Sequence, residues 1–315
     1  MNVGTEPEPP VERVPRLSVG VPVFNGERFL RLALDSVLAQ TYTDFEVVIC
    51  DNASDDGTQE ICREYAARDG RIRYLRSETN LGAAANYNRT FKESRGELFK
   101  WMPHDDAIDP VNLQRCVEAL DADPTVVLAY PRTSIIDEEG QEIRRVDEGL
   151  HMPFEKPHTR LGWLVTHMLM CNAVVGVVRR ETLAQTRLID GFSGSDCILL
   201  VELAMLGKFS EVPEYLFLRR EHTNSSLQSN TEQVDLDQWF DTSVSRGSRF
   251  PWLRLLREQW RSVGRMPLAA GERLACYLQI GRWVLKRWRV FGGAQKARLK
   301  AWLGGGWKHW GVEGA

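Results

Sequence analysis

The chain has 315 residues, of which 43% are hydrophobic and 26% are charged, and its formal net charge is −3. This composition is typical of a globular protein with a sizeable core and excludes a collagen-like or wholly disordered chain. No uninterrupted apolar run approaches the roughly 20 residues that a membrane-spanning helix needs, and the Pro- and Glu-rich start lacks the apolar core of a signal peptide.

Charge is unevenly distributed along the chain. Residues 246–315 carry 15 Lys or Arg and 3 Asp or Glu, whereas the residues before them carry 25 and 40. A basic tail on an acidic body indicates an anionic partner for the tail, such as a membrane surface or a nucleic acid.

The six cysteines are scattered and include no C-x-x-C pair. They predict neither a zinc site nor a disulfide framework. We therefore expect a cytoplasmic, reducing environment.

The first half of the chain alternates short apolar runs with helical patterns. Residues 1–15 are predicted to be disordered. Strands are predicted at 17–23, 45–50, 72–75 and within 97–104, and helices at 27–40, about 58–68 and 80–94. Strand–helix alternation predicts an α/β fold, a mostly parallel sheet with helices on both faces.

The second half alternates less regularly. Asp109 suits a helix N-cap and Pro110 the first helical position. Strands are predicted at 126–130, 172–179, 209–212 and 215–219, helices at 161–170 and 196–206, and loops over 131–160.

The tail carries seven of the ten tryptophans, interleaved with Arg and Lys. On a helix around residues 274–288, one face would carry Leu274, Tyr277, Leu278, Leu285 and Trp288, and another Arg282, Lys286 and Arg289. This pattern predicts a basic amphipathic helix that lies on a membrane surface or binds a partner. The alternative is a helical pair packed on the body, with its arginines solvated.

Polar residues follow three of the predicted strands. Pro22-Val23-Phe24-Asn25 ends the first, Asp51 ends the second, and Asp105 with Asp106 ends the strand within 97–104. Such strand ends lie side by side in an open α/β sheet, where ligands bind. The first turn suits a nucleoside, Asp51 can accept a pyrimidine N–H, and paired carboxylates can hold Mg²⁺ or Mn²⁺ on a diphosphate. The alternative for the carboxylates is a solvated turn that uses Asp for capping.

Four segments in this order resemble the family 2 glycosyltransferases: Pro22-Val23-Phe24-Asn25, Val47 to Thr58, Asn80-Leu81-Gly82 and His104-Asp105-Asp106. The resemblance covers about residues 17–222. It implies a GT-A fold, a nucleotide-sugar donor, a divalent metal and inversion at the anomeric carbon.

Carried over by position, the resemblance implies that Asp51 reads the nucleobase and that Asn80 lies beside the donor, as the 22–25 turn does. Asp105 corresponds to the last aspartate of the family's D-x-D motif and would bind both nucleotide and metal. Pro103 stands where the family has the first aspartate. Metal binding would therefore depend on Asp105, with Asp106 nearby.

The resemblance also supplies a base and a closing segment. Gly194 to Leu200 is similar to the segment that holds the family's catalytic carboxylate, which makes Asp196 the expected general base. The alternative for Asp196 is an ordinary helix N-cap. His222 ends a segment similar to the family's closing one and would contact the metal or the diphosphate, unless that segment is a surface loop.

We therefore expect a disordered 1–15, a glycosyltransferase domain over 16–245 and a basic amphipathic helical tail over 246–315. Within the domain, 16–106 would bind nucleotide and 107–245 would hold acceptor and catalytic residues. The expected enzyme inverts configuration, depends on metal and transfers a sugar, from a UDP-sugar by preference, to a hydroxyl of a glycan or lipid-linked acceptor at the inner membrane face, in polysaccharide or glycolipid assembly.

Three alternatives remain open at this point. Pro103 favours a catalytically weak nucleotide-sugar-binding or scaffold protein. A sugar nucleotidyltransferase would need a Gly- and Lys/Arg-rich loop after the first strand, which is absent from the sequence. Nucleic-acid binding through the tail is disfavoured by the acidic body.

Overall fold

A computed structural model describes residues 14–223, 233–244 and 251–291. The strands are β1 Leu17–Val23, β2 Phe45–Asp51, β3 Ile72–Arg76, β4 Leu98–Trp101, β5 Ala107–Ile108, β6 Val126–Ile136, β7 Glu142–Val146, β8 Val177–Arg179 and β9 Lys208–Arg220. The helices are α1 Leu30–Leu38, α2 Thr58–Arg68, α3 Ala83–Glu93, α4 Asn112–Ala122, α5 Pro157–His167, α6 Arg180–Leu183, α7 Ser195–Leu206, α8 Gln233–Phe240, α9 Pro251–Arg265 and α10 Ala270–Phe291, with a 3₁₀ helix at Cys171–Val175.

The strands form one sheet in the order β3-β2-β1-β4-β8-β6-β9-β5, with β7 paired to β6. The first four strands of this order run parallel. All seven residues of β1 and all seven of β2 are buried, as expected for central strands covered on both faces. The predicted α/β fold is confirmed.

The second half of the sheet is mixed. β8 pairs antiparallel with β4 and with β6, while β6 and β9 run parallel. β9 also pairs antiparallel with the short β5, so that Ala107 lies opposite Leu218. This pairing brings the end of β9 beside the two carboxylates that precede β5.

Several predicted boundaries in this half were wrong because they depend on pairing between distant strands. β6 continues to Ile136 and is joined by β7, within the stretch predicted as loops. The two strands predicted at 209–212 and 215–219 are the single strand β9, whose register with β6 shifts beside Pro213. Of the strand predicted at 172–179, only Val177–Arg179 pairs, because the residues before it form the 3₁₀ helix.

The helix expected to begin at Pro110 begins at Asn112 instead. The Asp109 carboxylate accepts the Val111 N–H at 3.1 Å, one residue before the helix. Asp109 therefore shapes the turn before α4 and does not cap it.

The predicted tail is helical where the structure describes it, in α9 and α10, whereas 1–13 and 292–315 lie outside the described residues. α9 packs on α7 and α10 packs on α5. The Glu258 carboxylate binds Arg187 at 2.8 Å, and Ser262 donates to Glu202 at 2.8 Å. This part of the tail is thus attached to the body, as the alternative interpretation expected. Within the described ranges, no helix combines the length and apolar character needed to cross a bilayer.

Candidate active site

Asp51 lies at the carboxyl end of β2 with no solvent-exposed surface. Its Oδ1 accepts the Ser54 N–H at 2.8 Å, and its Oδ2 accepts the Tyr74 hydroxyl at 2.8 Å and an Arg76 N–H at 2.9 Å. Burial, and next the hydrogen bond to Asp51, raise the pKa of Tyr74. The carboxylate is therefore fixed in place by groups of the chain itself, with no part of it open to solvent.

The turn after β1 is bonded to the turn after β2. Asn25 adopts a left-handed backbone with φ 52°, and its N–H donates to the Ser54 hydroxyl at 2.9 Å. Pro22 and Val23 are buried, whereas Phe24 is 40% exposed. Of the residues predicted here to contact a nucleotide, Phe24 and Asn25 are therefore the exposed ones.

Asn80 fixes the loop that precedes α3. Its side-chain oxygen accepts the Asn52 amide at 2.8 Å and the Gly82 N–H at 2.9 Å. Gly82 has φ 88°, and a Cβ there would lie 2.5 Å from the carbonyl oxygen of Phe240. The contacts of Asn80 therefore stabilise the turn that precedes α3.

Asp105 and His222 face each other across the site. Asp105 Oδ2 lies 3.0 Å from His222 Nε2, and the His222 ring centroid is 4.9 Å from that of Phe29. Burial acts to raise the pKa of Asp105, but the hydrogen bond with His222 and the charges of His104 and His222 outweigh it and lower the pKa to about 2. The imidazole predicted to reach the metal or diphosphate thus lies beside the predicted metal ligand.

The neighbouring carboxylate of Asp106 has a different environment. It is buried, and its Oδ1 accepts the Arg220 N–H at 2.9 Å. Burial, and next the charge of Asp105, raise the pKa of Asp106 to about 8. The Arg220 guanidinium in turn donates to the carbonyls of Asp105 and Asp137 at 3.0 and 2.8 Å. Asp106 and Arg220 therefore hold the loop, whereas Asp105 and His222 are bonded to each other.

Asp196, the predicted base, lies in the first turn of α7. The N-cap position belongs to Gly194, which has φ 87°, so the N-cap interpretation of Asp196 is wrong. The carboxylate is half-buried, and its Oδ1 accepts the Cys197 N–H at 2.9 Å. Burial raises the pKa of Asp196, opposed by backbone N–H groups and by the charge of Arg219.

Tyr87 lies in the electrostatic field of both groups of carboxylates. It lies on α3, and burial together with the charges of Asp105, Asp106 and Asp196 raises its pKa. All three carboxylates therefore lie within electrostatic range of its phenol. Sequence analysis did not single out Tyr87, because an aromatic residue at helical spacing predicts only core packing.

A second polar group lies beside Asp196. The Arg219 guanidinium donates to Asn172 Oδ1 at 2.7 Å, and the Asn172 N–H donates to Glu148 Oε1 at 2.8 Å. Glu148 is 4% exposed, burial raises its pKa to about 8, and its Oε2 has no hydrogen-bond partner in the described chain. Sequence analysis missed Glu148 and Asn172, since neither belongs to a recognisable motif.

The structure also corrects the interpretation of the cysteines. Cys171 and Cys197 form a disulfide, 26 residues apart in the chain. Cys50, Cys62, Cys116 and Cys276 are free and buried. The expectation of no disulfide was wrong, because the pair comes together only through the packing of α7 on the 3₁₀ helix.

The chain is similar to proteins of a known family. A model of the family "Glycosyl transferase family 2" matches residues 18–181. Chondroitin synthase of Escherichia coli is 27% identical over 224 residues, which cover 69% of this chain and 31% of that protein. The chain spans less than half the length of this and the other curated relatives it matches.

Two solved structures share the fold. S. aureus TarS 1–349 in complex with UDP-GlcNAc has a TM-score of 0.63 at 16% identity, with 91% of this chain and 77% of that one covered. Mannosyltransferase PcManGT from Pyrobaculum calidifontis, in complex with GDP-Man and Mn²⁺, has a TM-score of 0.53 at 17% identity, with 92% and 79% covered. These neighbours confirm the expected GT-A fold.

Proposed function

The chain belongs to glycosyl transferase family 2, and from that premise we propose that it transfers a sugar, with inversion, from a nucleotide-diphosphate donor to a hydroxyl of a glycan or lipid-linked acceptor. The observation that carries the proposal is the end of β9, where Arg220 donates to the Asp105 carbonyl at 3.0 Å. The adjacent Arg219 donates to Asn172 at 2.7 Å, and Asn172 follows Cys171, whose sulfur bonds to Cys197 beside Asp196. The predicted ligand of the metal and diphosphate and the predicted base are thus both tied to one strand end.

The donor would lie along the carboxyl ends of β1 and β2. Asp51 would accept the N–H of a pyrimidine base once the groups that enclose its carboxylate move aside, with Phe24, Asn25 and Asn80 beside the nucleoside. A UDP-sugar is favoured, because uracil offers that N–H and because TarS has been solved with UDP-GlcNAc.

The described residues fit a divalent cation, Mg²⁺ or Mn²⁺. Asp105 Oδ2 and His222 Nε2 form a hydrogen bond of 3.0 Å here, and both atoms would hold the ion in place of this hydrogen bond. The carboxylate ligand suits Mg²⁺ or Mn²⁺. The ion, when bound, would neutralise the charge of the leaving diphosphate.

The base would be Asp196. As the acceptor oxygen bonds to the anomeric carbon, the bond from that carbon to the diphosphate oxygen breaks, and the acceptor proton passes to the carboxylate. A single displacement from the face opposite the leaving group inverts the configuration. The raised pKa of Asp196 strengthens it as a proton acceptor.

Isothermal titration tests the donor and metal assignments together. UDP, GDP and dTDP are titrated with Mn²⁺ and with chelator, into the wild type, Asp105→Ala and the exposed control Glu139→Gln. We expect UDP to bind with Mn²⁺, and Asp105→Ala to lose this binding. If no nucleotide binds the wild type, the proposal fails and the scaffold alternative is favoured.

Substitution of the base separates binding from chemistry. Asp196→Asn should bind UDP as the wild type does but lose about 10²–10⁴-fold in transfer rate, since a positioned proton acceptor contributes about that much. Normal transfer by Asp196→Asn would remove Asp196 from the mechanism.

We further propose that α10 associates with the cytoplasmic face of an anionic membrane. Leu274, Leu278 and Leu285 are 61%, 56% and 59% exposed, and Arg282 and Lys286 are exposed on the same helix. An exposed apolar stripe beside basic residues favours a surface of anionic lipid. Such a surface is where lipid-linked acceptors lie.

Sedimentation with vesicles tests this association. The full chain should bind phosphatidylglycerol vesicles and not phosphatidylcholine vesicles, and changing all three leucines to Ser should abolish binding. Leu253→Ser on α9, which is 43% exposed in the wild type, is the matched control. Absence of the wild type from the phosphatidylglycerol pellet would refute the association.

A further inference from the structure

The disulfide joins two segments that border the candidate base. Cys171 begins the 3₁₀ helix and Cys197 lies in the first turn of α7, with their Cα atoms 5.9 Å apart. Both are half-buried, whereas the four free cysteines are buried. A small dithiol in solution can therefore reach this pair more readily than any other cysteine of the chain.

The pair lies against the carboxylate of Asp196. One carboxylate oxygen is within 4.8 Å of both sulfur atoms. The backbone N–H of Cys197 itself donates to Asp196 Oδ1 at 2.9 Å. The bond between the sulfurs thus restrains the residue whose backbone orients the base.

The other end of the bond restrains the partner of Arg219. Asn172 follows Cys171 and accepts the Arg219 guanidinium at 2.7 Å. The charge of Arg219 in turn acts on Asp196. Breaking the disulfide releases both the backbone that orients the carboxylate and the segment that anchors the neighbouring cation.

Reduction should leave the fold intact. Arg187 binds Glu202 of α7 at 2.8 Å and Glu258 of α9 at 2.8 Å, so the body of α7 is held independently of the disulfide. Gly194, in the left-handed region, connects the loop to the first turn of α7. The first turn is therefore the part of α7 free to shift when the bond is broken.

We propose that Cys171 and Cys197 are a thiol–disulfide exchange site that positions Asp196, so that transfer is fast in the disulfide form and slow in the dithiol form. The inference rests on the proposed function, because it acts through the base. The co-reactant is a dithiol. One of its thiolates attacks a protein sulfur and forms a mixed disulfide, and its second thiol then displaces the protein thiol. The protein gains two electrons and two protons, and the dithiol becomes a cyclic disulfide.

The experiment equilibrates the full chain in defined ratios of reduced to oxidised dithiothreitol. Alkylation with mass spectrometry measures the free thiols of Cys171 and Cys197 at each ratio. UDP release from UDP-GlcNAc, with water as acceptor, gives kcat and KM, and titration of UDP with Mn²⁺ gives nucleotide affinity. Hydrogen exchange of the peptide spanning 192–200 gives the mobility of the first turn of α7 without reference to activity.

We expect kcat to fall about ten- to hundredfold in step with the dithiol fraction, as for a misplaced catalytic group, with KM and UDP affinity changed less than about twofold. Hydrogen exchange of the peptide 192–200 should be faster in the dithiol form than in the disulfide form. Cys171→Ser and Cys197→Ser should each have the low kcat at every ratio, and Cys62→Ser, at a buried free cysteine, should keep the wild-type response.

Two outcomes overturn the inference. One is equal kcat in fully oxidised and fully reduced protein that both bind UDP, which leaves the proposed function standing. The other is an unchanged rate of hydrogen exchange in the peptide 192–200 after complete reduction. This outcome would overturn the inference even if UDP release is too slow to measure. Loss of UDP binding in both forms would instead contradict the proposed function.

Discussion

Replacement of Glu148 by Gln should stabilise the protein, and more so as the pH rises. Glu148 is 4% exposed and burial raises its pKa to about 8, whereas an unfolded glutamate titrates near pH 4.3. Between these values the folded state holds a proton that the unfolded state has lost, so stability falls as the pH rises. Gln keeps the shape of the protonated acid and does not ionise.

The magnitude follows from the two pKa values. Each pH unit inside the window contributes up to about 1.4 kcal/mol. Between pH 5 and pH 7.5, the difference in unfolding free energy between Glu148→Gln and the wild type should therefore grow by about 3 kcal/mol. Near pH 4, below both pKa values, the ionisation of Glu148 contributes nothing to that difference.

Urea unfolding, followed by tryptophan fluorescence at pH 5.0, 6.0, 6.75 and 7.5, measures this difference. Glu139→Gln, at an exposed loop position, is the control. Its unfolding free energy should change with pH in the same way as that of the wild type. Parallel curves for Glu148→Gln as well would refute the reasoning, because they would mean that Glu148 is ionised in the folded protein.

Three further predictions concern the core and the site. Arg187→Met leaves Glu202 and Glu258 as buried carboxylates without their main cation and should lower the unfolding free energy by about 3–5 kcal/mol; a loss below about 1 kcal/mol would show these carboxylates to be hydrated. Lys100 is buried, and burial lowers its pKa to about 8, so its stability contribution improves as the pH rises from 8 towards 10.4. Lys100→Met should be more stable than the wild type by about 1–2 kcal/mol at pH 7. Because the wild type gains about 2.5 kcal/mol between pH 7 and pH 10, urea unfolding at pH 10 should show this advantage abolished or reversed. Tyr87→Phe removes the hydroxyl that lies within electrostatic range of Asp105 and Asp196 and should lower kcat about tenfold while UDP affinity stays unchanged; an equal fall in affinity would place the phenol in the nucleotide site.

The sequence predicted the parallel half of the sheet well because its signals are local. The strands of that half end in polar residues, and the helices between them have clear apolar periodicity. Asp51, Asp105 and Asp196 could be singled out because each follows or begins a recognisable element, as Asp196 does at the start of α7.

The remainder depends on contacts between distant residues. β6 extends to Ile136 because β9 pairs along it, and no local pattern in 131–136 encodes that partner. The different environments of Asp105 and Asp106 arise from His222 and Arg220, more than 110 residues away. The same reason explains why the sequence did not predict the roles of Glu148 and Tyr87 or the disulfide: each depends on residues that are distant in the chain.

Complete burial of β1 and β2 also bears on how proteins of this kind diverge. With all seven side chains of each strand enclosed, any substitution within them must preserve volume to preserve the fold. Even Gly20 has no room to vary, since a Cβ there would lie 2.5 Å from the Thr90 hydroxyl. A change of donor or acceptor during evolution is therefore confined to the strand ends and the loops beyond them, where a substitution alters what the protein binds without altering what it packs.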